Sequence, residues 1–574
     1  MTVMTGRERK DIAFAHYFDL AMDFATRSHG HALAMLALVA LLSVLPGFFA
    51  IPPVDRDEAR FAQATKQMLE TGDYVDIRFQ DQVRYKKPVG IYWMQAAVVK
   101  AASAVGVPRA QTRIWLYRIP SLIGAIGAVL LTYWAGLAFV SRRAAVLAAL
   151  MMASCLLLSI EGRIAKTDAM LLAMTVAAMG ALARVYLPEQ RERLQGRAAW
   201  LPPAVFWTAI GVGILLKGPV IALFVVLAAG TLIAVDRSAW WLMALKPLPG
   251  IAWCLLLVLP WFLAIISRSG ESFFVESIGQ DLIAKLTAGQ ESHGAPPGYY
   301  FVLYWVTFWP AAVLTGFAVP AIWAARREPG AKFLLAWVVP SWIVLEIIPT
   351  KLPHYVMPIY PAIAILIAGI VDSRMLAQHR WLVRGSVWWF LLPILLGIGG
   401  LVALFGIGRQ FGFLVWPMIG GAVVAGLLAW QLFEPERAAH TLLRAVVASI
   451  LLVMAVFGWI VPALTPVFPS VALANILRAS GCADPRAASA GFHEPSLVFL
   501  AGTSTRLTDA SGAADFLSGG DCRFAFIEAR QARNFAQRAE AIGLLISPVA
   551  KVDAYNIGSV RAAAIEVFRS GGPP

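Results

Sequence analysis

VGIYWMQAAVVKAASAV, residues 89–105, is the stretch on which the topology of this chain turns. It is apolar enough to count as a membrane span, yet it is short and Lys100 interrupts it. A bilayer core of about 30 Å takes roughly 20 apolar residues of helix. Counting this stretch as a span would invert every later connection and put the arginine-rich ones outside, against the positive-inside rule. It therefore reads as an interfacial or re-entrant helix.

Outward from it, apolar runs recur from residue 32 to residue 463 in a chain of 574 residues that is 59% hydrophobic and 14% charged. A water-soluble protein could not hide so much apolar surface, so the bilayer is the solvent. About thirteen candidate spans follow, over residues 32–50, 117–140, 144–160, 169–183, 201–216, 219–235, 249–267, 299–323, 333–349, 354–371, 386–406, 412–432 and 442–463. The first ends in PGFFAIPP with no small-residue cleavage pattern, so it reads as a retained helix.

With the N-terminus cytoplasmic, the inside connections hold Arg142 and Arg143; Arg184, Arg191, Arg193 and Arg197; Arg237 and Lys246; Arg326, Arg327 and Lys332; Arg374, Arg380 and Arg384; Arg437 and Arg444. The short outer ones hold Lys217, Lys351 or Arg409 singly. That asymmetry is the positive-inside pattern, and it accounts for most of the net charge of +14 without a nucleic-acid partner.

The expected layout is a cytoplasmic leader over residues 1–31, an all-α polytopic domain over 32–464 with a long outer loop at 51–116, and a small outer α/β domain over 465–574. In that last part SLVFLAG and CRFAFIEA read as short strands and ARNFAQRAEAIGLL as a helix. Cys155 and Cys254 lie in apolar runs as small hydrophobes, whereas Cys482 and Cys522 share the outer domain, where a disulfide is plausible.

The first outer loop, VDRDEARFAQATKQMLETGDYVDIRFQDQVRYKKPVGIYW, is far longer than an ordinary connection and dense in charge. Asp55, Asp57, Glu58 and Arg60 open a helix-like stretch, where carboxylates suit a helix N-terminus. A capped, solvated helix face would look the same. The loop also exports Arg56, Arg60, Lys66, Arg78, Arg84, Lys86 and Lys87. Such cations suit a lipid phosphate at headgroup depth, or simply anionic headgroups. GRIAKTDAM adds Arg163, Lys166 and Asp168 on the same side, and later outer loops add Lys217, His293, Tyr299, Tyr300, Lys351, His354 and Tyr355. Several loops converging on reactive residue types favour a site. Two separated histidines are weak evidence for a metal, and structural hydrogen bonding accounts for them better.

DEARFAQ, KKPVGIYW, RIAKTD, LLKGP and TKLPHYVMPIYP, in that order, resemble the GT-C glycosyltransferases, in particular the group of lipid A aminoarabinose transferases and protein O-mannosyltransferases. The resemblance covers most of the membrane region. It implies an inverting glycosyltransferase of the bacterial inner membrane, its site facing the periplasm, that takes a pentose or hexose from a polyprenyl-phosphate donor. The implied acceptor is lipid A or another lipopolysaccharide component, with a protein hydroxyl as the alternative.

By the same resemblance, Asp57, Glu58 and Asp168 are the catalytic carboxylates, and Arg60, Lys87, Lys351 and Tyr355 contact the donor phosphate. His293, Tyr85 and Lys217 are further candidate contacts, for substrate or metal. Arg84 stands where the family has a tyrosine, with Tyr85 following, which leaves the donor sugar open. Phosphate is a good leaving group, so a divalent metal is allowed but not required. A lipid or sugar transporter is the rival from another class, but transporters place charges near the midplane, whereas here they collect on one side.

Overall fold

The computed structural model describes residues 6–270, 273, 275, 294–408, 413, 415–556 and 561–570; His293 and Arg409 lie outside the described residues. The charged leader forms helix α1 (Gly6–Arg27), and α2 (His29–Val44) starts at Ser28, whose hydroxyl accepts the His31 N–H at 3.2 Å.

The decisive stretch is a short helix. Helix α3 (Asp57–Thr71) ends at Gly72, whose φ of 73° suits a glycine, and a small hairpin of β1 (Arg78–Phe79) and β2 (Gln82–Val83) leads on to α4 (Gly90–Ala104). At 1.5 Å per residue the 15 residues of α4 reach about 22 Å, short of the hydrocarbon core. Helix α4 packs on α3 through Tyr92 against Phe61, ring centroids 5.3 Å apart, and through Gln95, which accepts the Thr65 hydroxyl at 2.7 Å.

Among the described residues eight helices are long and apolar enough to cross a membrane, beginning with α5 (Ile114–Gly136), and a ninth forms if the bent pair Tyr299–Thr307 and Ala312–Ala324 is one span. Three shorter apolar helices, α2, Val220–Asp236 and Val415–Gln431, stand beside them. By length and composition eight or nine of the described helices qualify as spans, and the remaining expected runs are short or broken. The sequence reading had no breaks. One separates α6 (Arg142–Ala153) from α7 (Leu156–Glu161), and the other bends the pair around residues 308–311 by 117°. Pro310, with no N–H to donate, lies in the second.

The two breaks meet. The Leu156 N–H donates to Trp309 O at 3.3 Å, the Cys155 thiol to Thr307 O at 3.1 Å, and the Ser449 hydroxyl to Ser154 O at 2.7 Å. Backbone groups released in an apolar medium must find such partners.

At the centre α5 lies against α8 (Asp168–Tyr186), of whose apolar window 89% is buried. A Cβ on Gly124 would stand 2.5 Å from Met170 N, so glycine is what lets the two backbones approach. This contact sets the first turn of α8, and with it Asp168, deep in the protein.

The C-terminal part holds a five-stranded sheet in the order β4-β3-β5-β7-β6, formed by β3 (Arg486–Ala490), β4 (Arg506–Thr508), β5 (Arg523–Glu528), β6 (Pro548–Asn556) and β7 (Arg561–Arg569). Strand β3 runs parallel to β4 and β5, and β7 antiparallel to β5 and β6. CRFAFIEA supplies β5 and ARNFAQRAEAIGLL the helix Ala532–Ala541, but SLVFLAG is not a strand. It lies in the helix Pro495–Ala501, because parallel neighbours β3 and β4 need a crossover and Pro495 favours a helical first turn. Cys482 and Cys522 are bridged.

Candidate active site

Three segments converge at one end of the bundle: the start of α3, the connection between α7 and α8, and the turn His354–Tyr355. Asp57 is the first residue of α3 and is exposed, where the partial positive charge of the helix end favours its carboxylate. Arg56 before it holds φ at 70°, a conformation that non-glycine residues keep only when their surroundings impose it.

Glu58, by contrast, is 1% exposed and fully committed. It receives Arg118 Nε at 2.8 Å and Nη2 at 2.9 Å, the Val54 N–H at 2.8 Å and the Ala165 N–H at 2.8 Å. Arg118 donates in turn to the carbonyls of Phe48, Ile51 and Pro52 at 2.8 to 3.0 Å. This buried ion pair ties the end of α2, the start of α3, α5 and the α7–α8 connection together. It leaves Glu58 no free lone pair for proton transfer, so its place is structural.

Asp168 anchors a second, buried cluster. Lys217 donates to its Oδ1, Lys166 Nζ lies 3.7 Å from its Oδ2, and His354 Nε2 lies 3.6 Å from Oδ1. Glu161 shares those partners, at 3.6 Å from Lys166 and 3.6 Å from His354 Nδ1. The Tyr355 ring lies 5.0 Å beneath Lys217 Nζ, and the charge of Lys87 reaches His354. Burial works against the Lys166 ammonium, yet Glu161, Asp168 and Asp57 together raise its pKa above that of an ordinary lysine. Through Lys166 the exposed Asp57 and the buried cluster thus share one electrostatic field.

Of the residues expected in the site, the fold gathers Asp57, Asp168, Lys217, Tyr355 and Lys87. Lys351 lies elsewhere: its ammonium donates to Leu345, Glu346 and Ile348 carbonyls at 2.7 to 3.2 Å and closes a helix end. Tyr85 gives its hydroxyl to Asp76 at 2.8 Å and packs on Phe273. Arg60, half-buried one turn into α3, donates its backbone N–H to Arg56 O. Glu161 and Arg118 were missed. A carboxylate closing the apolar run before GRIAKTD was the available signal for Glu161, since intramembrane acids are functional by default; Arg118 gave none.

Glu161, Asp168 and His354 offer three ligand atoms within 4.8 Å of one another. A divalent cation there would have to displace Lys217 from Asp168 and sit beside Lys166, so the lysines already supply its charge. The set does not fit a resident metal, and no step is derived through one.

The family model for dolichyl-phosphate-mannose-protein mannosyltransferase matches residues 33–271. The undecaprenyl phosphate-alpha-4-amino-4-deoxy-L-arabinose arabinosyl transferase of Edwardsiella ictaluri is 27% identical over 435 residues, covering 71% of this chain and 72% of that protein. Its counterpart in Pectobacterium carotovorum is 27% identical over 416 residues, covering 69% and 68%. In fold, the chain superposes on ArnT from Cupriavidus metallidurans bound to undecaprenyl phosphate with a TM-score of 0.70 at 16% identity, covering 93% of this chain and 97% of that one. The motifs, the membrane helices and these likenesses agree: the chain is a multi-pass membrane glycosyltransferase, similar in sequence and fold to the lipid A aminoarabinose transferase and protein O-mannosyltransferase group of the GT-C class.

Proposed function

We propose that the protein transfers a pentose or hexose, with inversion, from a polyprenyl-phosphate donor to lipid A or another lipopolysaccharide component on the periplasmic face of the inner membrane. The observation that carries this reading is the exposed Asp57 at a helix N-terminus, beside a buried cluster of lysines and acids. The names of the arabinosyl transferase relatives support the donor and acceptor classes.

In this reading Asp57 is the catalytic carboxylate. It removes the proton of an acceptor hydroxyl while the bond from C1 to the polyprenyl phosphate breaks, or orients the acceptor where that is an ionised phosphate. Lys87, Arg60 and Tyr355 hold the donor phosphate, with Lys217 and Lys166 adding positive charge where negative charge grows on the leaving group. Asp168 and Glu161 hold those ammoniums in place. Thirteen spans, the broken and short helices included, carry the N-terminus inside and residues 465–574 outside. Residues 1–31 form the leader, 32–464 the catalytic domain with its loop 51–116, and 465–574 the appended domain.

The test is transfer of labelled sugar from membrane polyprenyl-phosphate sugars to extracted lipids, glycans and protein, comparing wild type with Asp57→Asn. A positioned base contributes about a hundred- to ten-thousandfold, and a loss of that size in one labelled product is expected. Label in protein instead of lipid would move the acceptor to a protein hydroxyl. Near-normal turnover of the variant would remove Asp57 from the base role.

A further inference from the structure

The C-terminal unit grips the helix that carries Asp57. Residues 496–505 contact α3 and its flanks along their whole length. Asp55 Oδ1 accepts the Ser496 N–H at 2.9 Å, the Gln63 amide donates to Thr503 Oγ1 at 2.8 Å, and the Thr503 hydroxyl donates to Glu70 at 2.6 Å. Lys66, 4% exposed, gives its ammonium to Phe499 O at 3.1 Å. A lysine is rarely buried unless paired, and Glu70 stands 3.6 Å away as its counter-ion. The other side of α3 is closed by α4, so the helix is held between the membrane domain and the appended unit.

The start of α3 shows what that grip controls. Arg56, in its positive-φ conformation, sits between two fixed points. On one side Glu58 is fastened to Arg118 within the membrane domain. On the other Asp55 is fastened to Ser496, whose backbone N–H it accepts at 2.9 Å and whose side chain also hydrogen-bonds to it. Burial raises the Asp55 pKa to about 7, with Ser496 opposing and the Glu494 charge adding to the rise. Half-buried and hydrogen-bonded across to the C-terminal unit, this carboxyl is a specific joint, not a solvated loop residue. Asp57 lies between these points, and a displacement of about 1 Å in such a group can cost a hundredfold in rate.

We infer that Asp55 is a positioning residue through which the C-terminal unit, by the Ser496 N–H, sets the place of Asp57. This rests on Asp57 being the catalytic carboxylate. The role belongs to the side-chain acceptor: an asparagine keeps the oxygen that receives the Ser496 N–H, and an alanine does not.

The experiment uses the full chain purified in detergent, as wild type, Asp55→Ala and Asp55→Asn, with two readouts. Hydrogen exchange over residues 57–61 reports the start of α3, where Ala59 and Arg60 donate to Val54 O and Arg56 O. Turnover reports kcat per folded molecule and KM for the polyprenyl-phosphate sugar.

Asp55→Ala is expected to exchange faster at 57–61 and to lose about 10- to 100-fold in kcat with donor KM unchanged. Asp55→Asn should stay close to wild type in both. Unchanged exchange and kcat in the alanine variant overturn the inference. So does a fall in the asparagine variant equal to that in alanine, because the carboxylate and not its acceptor oxygen would then matter. A lower melting temperature with normal kcat per folded molecule reduces Asp55 to a structural contact and likewise overturns it. If the wild type transfers no sugar at all, the proposed function fails, and the exchange readout judges the joint by itself.

Discussion

Two adjacent carboxylates, Asp57 and Glu58, are indistinguishable in the sequence and opposite in the fold. Glu58 is 1% exposed and receives four N–H donors, two of them from Arg118. Removing one partner of a buried ion pair leaves the other charge uncompensated, at about 3 to 5 kcal/mol. Glu58→Ala should therefore lower the yield of folded protein and its melting temperature in detergent, while Asp57→Asn leaves both unchanged and affects turnover. A Glu58→Ala enzyme that melts normally but turns over slowly would return Glu58 to the chemistry. Arg118 lies sixty positions along the chain, buried in a helix that reads as an ordinary span. Nothing local announces such a partner, so the sequence singled out Asp57, Glu58 and Asp168 together, could not separate the buried Glu58 from the exposed Asp57, and passed over Glu161. Lys351 repeats the lesson, because a lysine in an outer loop reads as a phosphate ligand until three carbonyls are seen around its ammonium.

At the scale of elements, long apolar periodic runs were legible and interruptions were not. Hydropathy averages over a window, so a break of a few residues leaves the α6–α7 run looking continuous. In the fold that break is sustained from outside, by the Ser449 hydroxyl on Ser154 O at 2.7 Å and by Trp309 O on the Leu156 N–H. Side-chain hydrogen bonds in membrane proteins contribute about 0.6 kcal/mol on average and at most about 1.7. Ser449→Ala should destabilise the bundle by that order in a reversible unfolding assay in detergent, with the α7 end loosened first. No measurable change would mean that Ser154 O finds another partner. SLVFLAG failed for the opposite reason. It is too short for periodicity to separate strand from helix, and only its position between two parallel strands decides the matter. The interfacial reading of α4 rests on the whole chain's charge pattern instead of the segment's own hydropathy, and its 15-residue length is consistent with that reading.

For the whole molecule, that charge pattern makes a claim that length alone does not. Eight or nine helices are long enough to span, and the short or broken runs must also cross if arginine-rich connections are to stay inside. The position of α4 discriminates. With α4 lying on the outer surface, Lys100→Cys and Arg327→Cys stand on opposite sides of the membrane. Arg506→Cys, on β4 of the appended unit, shares the side of Lys100. The native cysteines do not interfere, because Cys155 and Cys254 are buried and Cys482 is bridged to Cys522. A membrane-impermeant thiol reagent applied to whole cells with a permeabilised outer membrane should label positions 100 and 506, and position 327 only after the inner membrane is opened. Label at 327 and 506 together from outside would require one more or one fewer crossing between them. Label at 327 but not at 506 from outside would instead make α4 a span despite its reach of about 22 Å, and put the first loop and its Asp57 on the far side from the appended unit that touches it. The hydrogen bond from Ser496 to Asp55, joining those two parts at 2.9 Å, is the physical reason to expect the first outcome.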